Sequence, residues 1–206
     1  MKKIGLAVLL LAGTVAYADT ITLVSDPAKN YQQSTNSPCV IGNASCKNPV
    51  GLDYTLIKSN VSSYPDTQSP TYTVSQILGV VNSTSFWIGI DINQTSETQY
   101  LGYFDMFVNG IKVAGYDPSE PTPVPAVNNG NGYADYLLQG FSLAGFAESD
   151  QVFFTMAMPI ANDGAEQFFL IGAPAPPAVP EPSTIALLGT GLVSAAGIAR
   201  RKLASR

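Results

Sequence analysis

Histidine is absent from this sequence of 206 residues, and that absence excludes more chemistry than any other compositional feature. Histidine is the commonest metal ligand in proteins and a frequent general base. Without it, Ser-His-Asp and Cys-His nucleophile systems and most catalytic zinc sites are excluded. The sequence also has no Ser-x-x-Lys or Gly-x-Ser-x-Gly motif and no glycine-rich phosphate loop with a lysine. Carboxylate chemistry, calcium binding and a non-catalytic role remain open.

Basic residues are scarce: ten Lys and Arg stand against 15 Asp and Glu, a formal net charge of −5. More than half of them lie at the two ends of the chain, namely Lys2, Lys3, Arg200, Arg201, Lys202 and Arg206. Residues 19–179 therefore keep four lysines against 14 acidic residues, a net charge of −10. Because phosphate binding needs clustered Lys and Arg, nucleic acid is excluded as the main partner.

The N-terminal end has the pattern of an export signal. Met1-Lys2-Lys3 is followed by an apolar run over residues 4–15 and then by Ala16-Tyr17-Ala18, a small-x-small cleavage site. As a helix this run is about 18 Å long, too short to cross a bilayer comfortably. We expect residues 1–18 to be a signal peptide, removed by signal peptidase between Ala18 and Asp19. A buried N-terminal helix is the alternative.

The C-terminal end carries three elements in a fixed order. Residues 173–182 form a Pro-rich spacer that ends in Pro180-Glu181-Pro182, and residues 183–199 are uncharged and rich in Gly, Ala and Leu. The basic residues Arg200, Arg201 and Lys202 follow, and by the positive-inside rule they keep the end of the chain, 200–206, in the cytoplasm. The pattern predicts a single transmembrane helix over 183–199 that holds the preceding domain outside.

This end of the chain resembles a PEP-CTERM sorting tail, through Pro180-Glu181-Pro182, the helix around Leu187–Leu192 and the Arg-Arg-Lys end. The resemblance covers residues 179–206 and implies recognition by an exosortase, a membrane protease-transpeptidase of Gram-negative bacteria that also make exopolysaccharide. It implies transient anchoring in the inner membrane, followed by a cell-surface or extracellular location. Pro180, Glu181 and Pro182 would be the recognition motif. An ordinary C-terminal anchor that follows a Pro-Glu-Pro is the alternative.

Residues 19–172 form one cargo domain, and their pattern is that of an all-β protein. Apolar residues alternate with period two, as in Phe86-x-Ile88-x-Ile90, and Asn109-Gly110 separates two alternating runs, which is the signal of a type I′ hairpin. The predicted strands are 20–24, 52–58, 86–92, 103–108, 111–116, 133–138, 152–158 and 166–171. Short helices are expected near 74–78 and 143–148, a long exposed loop over 117–132 and a polar, turn-rich segment over 30–50. The expected fold is an antiparallel β-sandwich, jelly-roll-like.

Cys39 and Cys46 are the only cysteines, and in an exported protein an even pair predicts a disulfide. The closed loop is short, so the entropic model gives roughly 2–3 kcal/mol of stabilisation. A metal pair would lack partner ligands, and the spacing does not fit a redox pair. We expect the bond to staple a loop.

Asn129, Asn131 and Asp135, with Gly132, match positions 3, 5, 9 and 6 of a calcium loop. Positions 1 and 12 offer no side-chain oxygen, so we favour a Gly/Asn-rich turn over a metal site and expect no cofactor. If calcium binds, it should raise the melting temperature.

Asp91 and Asp105 are the best candidates for a paired-carboxylate site, since glycosidases need only two carboxyl groups. Both alternate with apolar residues, so we expect them to face solvent. Aromatic residues, including ten Tyr, Trp87 and the neighbouring pairs Phe153-Phe154 and Phe168-Phe169, fit either sheet packing, which we favour, or a sugar-binding surface. The sequence thus favours an exported, non-catalytic surface or matrix protein associated with exopolysaccharide or biofilm. A carbohydrate-binding module and a polysaccharide hydrolase are the alternatives.

Overall fold

The computed structural model describes residues 19–94, 98–128, 132–161 and 164–174. The predicted signal peptide, the sorting motif, the membrane helix and the basic end lie outside the described residues, as does the spacer beyond Pro174. Within the described part, strands dominate and the compact unit that holds them ends at Ala173. No helix in these ranges is long and apolar enough to cross a bilayer.

The described ranges contain 14 strands and one helix. In chain order they are β1 (Asp19–Thr20), β2 (Thr22–Ser25), β3 (Cys39–Gly42), β4 (Thr55–Leu56), β5 (Tyr64–Gln68), β6 (Tyr72–Thr73), α1 (Val74–Val81), β7 (Ser85–Asp91), β8 (Gln99–Leu101), β9 (Tyr103–Val108), β10 (Ile111–Tyr116), β11 (Thr122–Val124), β12 (Tyr136–Ser142), β13 (Gln151–Met158) and β14 (Gln167–Gly172).

The strands form two six-stranded sheets and one two-stranded sheet. The disulfide sheet, named for Cys39, has the order β2-β12-β7-β14-β3-β4. The hairpin sheet, named for the β9–β10 hairpin, has the order β1-β10-β9-β13-β5, with β6 also pairing with β13. Strands β8 and β11 form the small sheet. All pairs are antiparallel except the short contacts of β1 with β10 and of β3 with β4.

The main strands pair in a nested order. β9 pairs with β10, β7 with β12, β5 with β13 and β3 with β14, each time antiparallel. The first half of the chain therefore runs alongside the second half as one long ribbon that turns back at the β9–β10 hairpin. Two further pairs bring separate parts of this ribbon together: β7 also pairs with β14 in the disulfide sheet, and β9 also pairs with β13 in the hairpin sheet.

The two six-stranded sheets share one hydrophobic core. Phe104 of the hairpin sheet stacks on Phe168 of the disulfide sheet with ring centroids 5.5 Å apart, and its ring edge contacts Phe141 at 5.9 Å. Phe86 meets Phe154 from the opposite sheet at 6.2 Å. These side chains are at most 1% exposed, and every second residue of β7, β9 and β13 joins them, which is why the sequence alternates with period two.

Several local predictions are confirmed. Asn109 and Gly110 have φ of 50° and 78°, as a type I′ turn requires, and they join β9 to β10. The helix expected near 74–78 is α1, which begins with a capping box between Thr73 and Gln76 and ends at Asn82 in the left-handed conformation.

Other local predictions are wrong. Residues 143–148 form turns rather than a helix, since Gly145 adopts a φ of 87°. The run 20–24 breaks at Ile21 into β1 and β2, which belong to different sheets, and only Thr55–Leu56 of the run 52–58 is a strand. The run 133–138 becomes a strand only from Tyr136, and that strand then continues to Ser142.

Two segments predicted to be irregular contain strands. The polar segment 30–50 includes β3, all four residues of which are buried. The Pro-rich segment 117–132 includes β11, where Pro123 lies opposite Tyr100 of β8. Pro123 is tolerated because β11 is an edge strand that pairs only with β8 in the described ranges. A residue of an edge strand needs no N–H to bond a strand on its other side.

Candidate functional site

The outer face of the disulfide sheet is covered by the parts of the polar segment 30–50 that flank β3; this covering segment includes Tyr31 and Cys46. The disulfide predicted between Cys39 and Cys46 is present, with an S–S distance of 1.98 Å and a Cα–Cα distance of 6.0 Å. It ties the end of the covering segment to β3, and Cys39 is fully buried together with Phe169. Gly42 leaves the space for this bond, because a Cβ at that position would collide with the Cys46 sulfur.

Trp87 of β7 lies beneath this cover, where it is partly buried, and is not part of an exposed platform. It packs against a second, small core formed by Cys39, Ala134, Leu137, Phe169 and Ile171. The ring of Tyr31 meets the Trp87 ring edge-on at 5.7 Å. Gly89 lies beneath the same group, since a Cβ there would come within 2.6 Å of the Phe169 ring.

A shallow pocket lies at the start of β7, beside Trp87. It has a volume of about 320 Å³ and is lined by Thr20, Ser85, Phe86, Trp87, Gly140, Phe141 and Ser142. Its hydrogen-bonding side chains are the hydroxyls of Thr20, Ser85 and Ser142 and the indole of Trp87, and none of the described residues that line it is ionisable. The pocket therefore offers hydrogen bonds but no acid or base.

The outer face of the hairpin sheet is open by comparison. The outward-pointing residues of β9 and β13, with their neighbours on β5 and β10, are partly or fully exposed with the exception of Asp105. We call this surface the open face; its members are Asp66, Tyr103, Asp105, Phe107, Lys112, Phe153 and Thr155.

Two aromatic rings lie at one end of the open face. Phe107 and Phe153 are directly opposite each other on β9 and β13. Their rings are parallel, with an interplanar angle of 3° and centroids 4.8 Å apart. Both side chains are only partly buried, whereas the neighbouring Phe154 is fully buried in the main core. The aromatic pairs of the sequence thus divide: Phe153 faces outward, Phe154 and Phe168 pack in the main core, and Phe169 is buried in the small core beneath the covering segment.

The centre of the open face is an ion pair over a glycine. The Lys112 ammonium lies 2.8 Å from Oδ1 of Asp105 and also contacts the Asp117 carboxylate. Gly115 lies opposite Asp105, and a Cβ there would collide with the carboxylate. Burial raises the pKa of Asp105, and the hydrogen bond from Lys112 opposes that shift. Burial alone would lower the pKa of Lys112, but its bonds to the two carboxylates raise it, so Lys112 stays charged.

At the other end of the open face, Tyr103 donates a hydrogen bond from its hydroxyl to Oδ1 of Asp66 at 2.6 Å. Burial, followed by this bond and the Asp66 charge, raises the pKa of Tyr103 to about 12. Asp66 itself is exposed and adopts a φ of 38°, in an irregularity of the β5–β13 ladder. The open face therefore combines aromatic rings with exposed hydrogen-bond acceptors.

A different group of acids is buried at the end of the disulfide sheet. Asp91, Asp135 and Glu166 are 3%, 0% and 0% exposed. Burial raises the pKa of Glu166 to about 8, with a further contribution from the charges of Asp91 and Asp135, against the opposing bond from the Asn93 N–H. Burial likewise raises the pKa of Asp91 to about 7, against the opposing bond from the Gly132 N–H.

The expectation that Asp91 and Asp105 face solvent is wrong for both. Asp91 points away from the main core, but the turn at Gly132 covers it and donates a hydrogen bond of 2.8 Å to its Oδ2. Asp105 is 7% exposed because Lys112 lies over it. The two acids belong to different sheets, with Asp135 as the charged neighbour of Asp91 and Lys112 as that of Asp105. The geometry gives them no shared catalytic site.

Of the calcium candidates, Asn129 and Asn131 lie outside the described residues. Asp135 is described, and its two carboxylate oxygens already accept hydrogen bonds from three backbone N–H groups. The donors are Ile92 at 2.8 Å, Val127 at 2.6 Å and Asn128 at 2.6 Å. Asp135 therefore holds the turn before β12 in place, and it does not fit as a free ligand for a hard cation. Among the described residues, no group of three or more acidic or cysteine side chains is arranged to hold a metal ion.

The sequence patterns did not identify Glu166 as a buried acid or Asp66 as a residue of the open face. Glu166 lies within a run of buried residues, and its place next to Gln167-Phe168-Phe169 was a signal of burial. For Asp66 the sequence offers no comparable signal, because its neighbour Tyr103 lies far along the chain.

The C-terminal part of the chain matches a known protein family. Residues 178–202 match the family model described as the PEP-CTERM protein-sorting motif. No curated protein and no solved structure matches the chain at a significant level. The matched segment includes Pro180, Glu181 and Pro182, the residues on which the resemblance was based. The chain is therefore a PEP-CTERM domain-containing protein, and its sorting motif implies that it is exported and targeted to an exosortase.

Proposed function

We propose that this protein is a cell-surface or extracellular-matrix component, processed by exosortase, whose cargo domain is a non-catalytic jelly-roll β-sandwich. The observation that carries the proposal is the sorting motif at residues 178–202, directly downstream of a compact β unit that ends at Ala173. The role belongs to the exopolysaccharide or biofilm matrix. Signal peptidase removes residues 1–18, and the helix over 183–199 anchors the domain until exosortase acts.

The nested strand pairing supports the jelly-roll assignment. In that fold an antiparallel ribbon of eight strands is wrapped so that its halves lie in two facing sheets. The pairs of β3 with β14, β5 with β13, β7 with β12 and β9 with β10 follow that order, and rings from both sheets meet in one core. Such a sandwich is a rigid, hydrated module suited to display.

The environments of the acids support a non-catalytic role. Catalytic carboxylates must reach the substrate, and in glycosidases the two groups flank one bond. Asp91 and Glu166 have the raised pKa values that an acid catalyst can use, but both are buried and each accepts a hydrogen bond from backbone. Asp105 is neutralised by Lys112. These carboxylates organise turns and a sheet face.

The sorting route is tested by Glu181→Ala in the producing bacterium. We expect the variant to remain in the membrane fraction with an unprocessed C-terminus, because the recognition motif is lost. Glu120→Ala, which removes an exposed acid from the cargo domain, is the matched control and should be processed normally. Fractionation and intact-mass measurement distinguish the forms. Identical processing of Glu181→Ala and the parent would contradict the proposal.

A second candidate function, carbohydrate binding, is favoured by one observation. The parallel rings of Phe107 and Phe153 are partly exposed on the open face, beside hydrogen-bonding side chains. Apolar sugar faces stack on aromatic rings, and sugar hydroxyls use directional polar partners. The Phe107→Ala,Phe153→Ala double variant should lose retention on a polysaccharide array that retains the parent protein. Unchanged retention would remove this candidate.

A further inference from the structure

We infer that the open face binds a polysaccharide that carries free amino groups, such as a de-N-acetylated polymer of amino sugars. The inference rests on the second candidate function, carbohydrate binding, and adds the class of polymer. It follows from the combination of rings and charges on this face and not from either alone.

The charges on the open face favour a cationic ligand. Asp66, Asp105 and the adjoining Asp117 stand against one cation, Lys112, which already contacts two of the three carboxylates. Three acids and one lysine leave a local charge of −2, and residues 19–179 carry −10 in all. An anionic polysaccharide would be repelled, whereas a polymer with ammonium groups would be attracted.

Asp66 is the residue placed to meet an ammonium group. Its Oδ1 accepts the Tyr103 hydroxyl at 2.6 Å, which holds the carboxylate in one orientation. Its Oδ2 makes no hydrogen bond within the described ranges, and the residue is exposed. Hydrogen bonds between an ammonium and a carboxylate are charge-assisted and roughly twice as strong as neutral ones.

The spacing of these groups suits a polymer and not a single sugar. Phe107 and Tyr103 lie four residues apart on β9 and therefore about 14 Å apart along the strand. The aromatic pair is at one end of this line and the Tyr103–Asp66 pair at the other. A ligand that contacts both ends must be longer than one sugar ring.

The experiment compares polymers that differ in charge, using the full chain purified in a mild non-ionic detergent. Three polymers are immobilised: chitosan, the same polymer after re-acetylation, and alginate. Binding of the protein to each is measured at a pH below the pKa of the chitosan amine. We expect tight binding to chitosan, at least about tenfold weaker binding after acetylation, and no binding to alginate. Because the contact is partly ionic, about 0.5 M salt should weaken it.

Two variants test the assigned residues against matched controls elsewhere on the surface. Asp66→Asn and Phe153→Ala should each weaken chitosan binding at least about fivefold. Glu120→Gln removes an exposed acid off the open face, and Leu56→Ala removes an exposed apolar side chain of the other sheet. Both controls should bind as the parent does. Melting curves verify that all four variants remain folded.

Three results would overturn the inference. Equal binding to acetylated and de-acetylated polymer would leave carbohydrate binding intact but remove the role of the amine. Chitosan binding that neither Asp66→Asn nor Phe153→Ala weakens would assign the attraction to net charge alone. Failure to bind any polymer would remove the carbohydrate-binding candidate as well. None of these results bears on exosortase processing, which Glu181→Ala tests separately.

Discussion

At the scale of single residues, the buried acids show how this domain uses charge. Both carboxylate oxygens of Asp135 accept hydrogen bonds from backbone N–H groups, three in all, and these bonds compensate the burial of its charge. Glu166 is less well compensated, since its fully buried carboxylate accepts one backbone N–H, that of Asn93, and has the Gln99 side chain as its other polar neighbour. Its charged form is therefore disfavoured.

The burial of Glu166 predicts that the folded domain loses stability as pH rises. Its pKa increases from 4.5 to about 8 on folding, so between these values the folded state holds a proton that the unfolded state has released. Within that window each pH unit lowers the free energy of unfolding by up to about 1.4 kcal/mol. Asp91, with a pKa of about 7, acts in the same direction.

The Glu166→Gln variant should flatten this dependence. Melting curves of the parent between pH 5 and 9 should show a melting temperature that falls with pH, and the variant should fall less. Glu148→Gln, an exposed acid, is the control and should follow the parent. Asp91, Asp135 and Gln99 surround Glu166 and stay unchanged in both variants. A variant with the same slope as the parent would show that Glu166 is ionised in the folded state.

Gly89 gives a second prediction at this scale. Gly89→Ala should lower the free energy of unfolding by about 1–3 kcal/mol, because the new methyl group would lie within 2.6 Å of the Phe169 ring and 2.8 Å of Ile171. Gly79→Ala is the matched control: it is exposed on α1 with no atom near its Cβ, so better helix propensity should stabilise it by up to about 1 kcal/mol. Denaturant titration measures both changes. If Gly89→Ala proves neutral, the cover over this strand is loose.

At the scale of elements, the two outer sheet faces differ because, within the described ranges, a segment of the chain covers the disulfide sheet and none covers the hairpin sheet. On the disulfide sheet, a segment tied to β3 by the disulfide lies over Phe169, which is fully buried, and over Trp87, which is partly buried. The hairpin sheet leaves Phe107 and Phe153 partly exposed. The disulfide therefore stabilises a packed surface as well as a loop.

Reduction of the disulfide should loosen this cover before the main core. We expect a loss of roughly 2–3 kcal/mol in the free energy of unfolding, from the restored freedom of the unfolded chain. Trp87 is the only tryptophan, so its fluorescence reports on the cover directly. A Cys39→Ala,Cys46→Ala variant is the control and should not respond to reductant. A reduced parent with unchanged emission and stability would contradict the prediction.

The elements also show what sequence patterns can and cannot predict. The β9–β10 hairpin was predictable because its turn residues and alternation are local. β3 was missed because the polar residues of its own segment masked a buried strand, and β11 because Pro123 is acceptable only on an edge. Asp91 was predicted to face solvent because alternation shows which residues lie on the outer face of a sheet but not which other segments cover that face. For the same reason the sequence does not show that the outer face of the hairpin sheet is exposed.

At the scale of the whole molecule, the last strand is central and not peripheral. β14 lies between β7 and β3 and pairs with both. Its residues Phe168 and Leu170 are fully buried in the main core. The domain is therefore closed by residues that immediately precede the sorting tail.

Two truncated chains test this dependence. Residues 19–174 should form a monomer that unfolds cooperatively, because all the described strands are retained. Residues 19–166 lack β14 and should not fold, since β3 and β7 lose their shared neighbour. Size-exclusion chromatography and thermal circular dichroism distinguish the two outcomes. Cooperative unfolding of the shorter chain would show that β14 is dispensable.

The position of β14 also sets the order of events during biogenesis. A chain that emerges from its N-terminal end presents β3 and β7 long before the strand that joins them, so the disulfide sheet keeps a gap until residue 172 is available. The sorting motif begins six residues later, at 178. The last strand of the domain and the sorting signal therefore emerge almost together. Once the sorting motif is exposed, every strand that completes the disulfide sheet is already available.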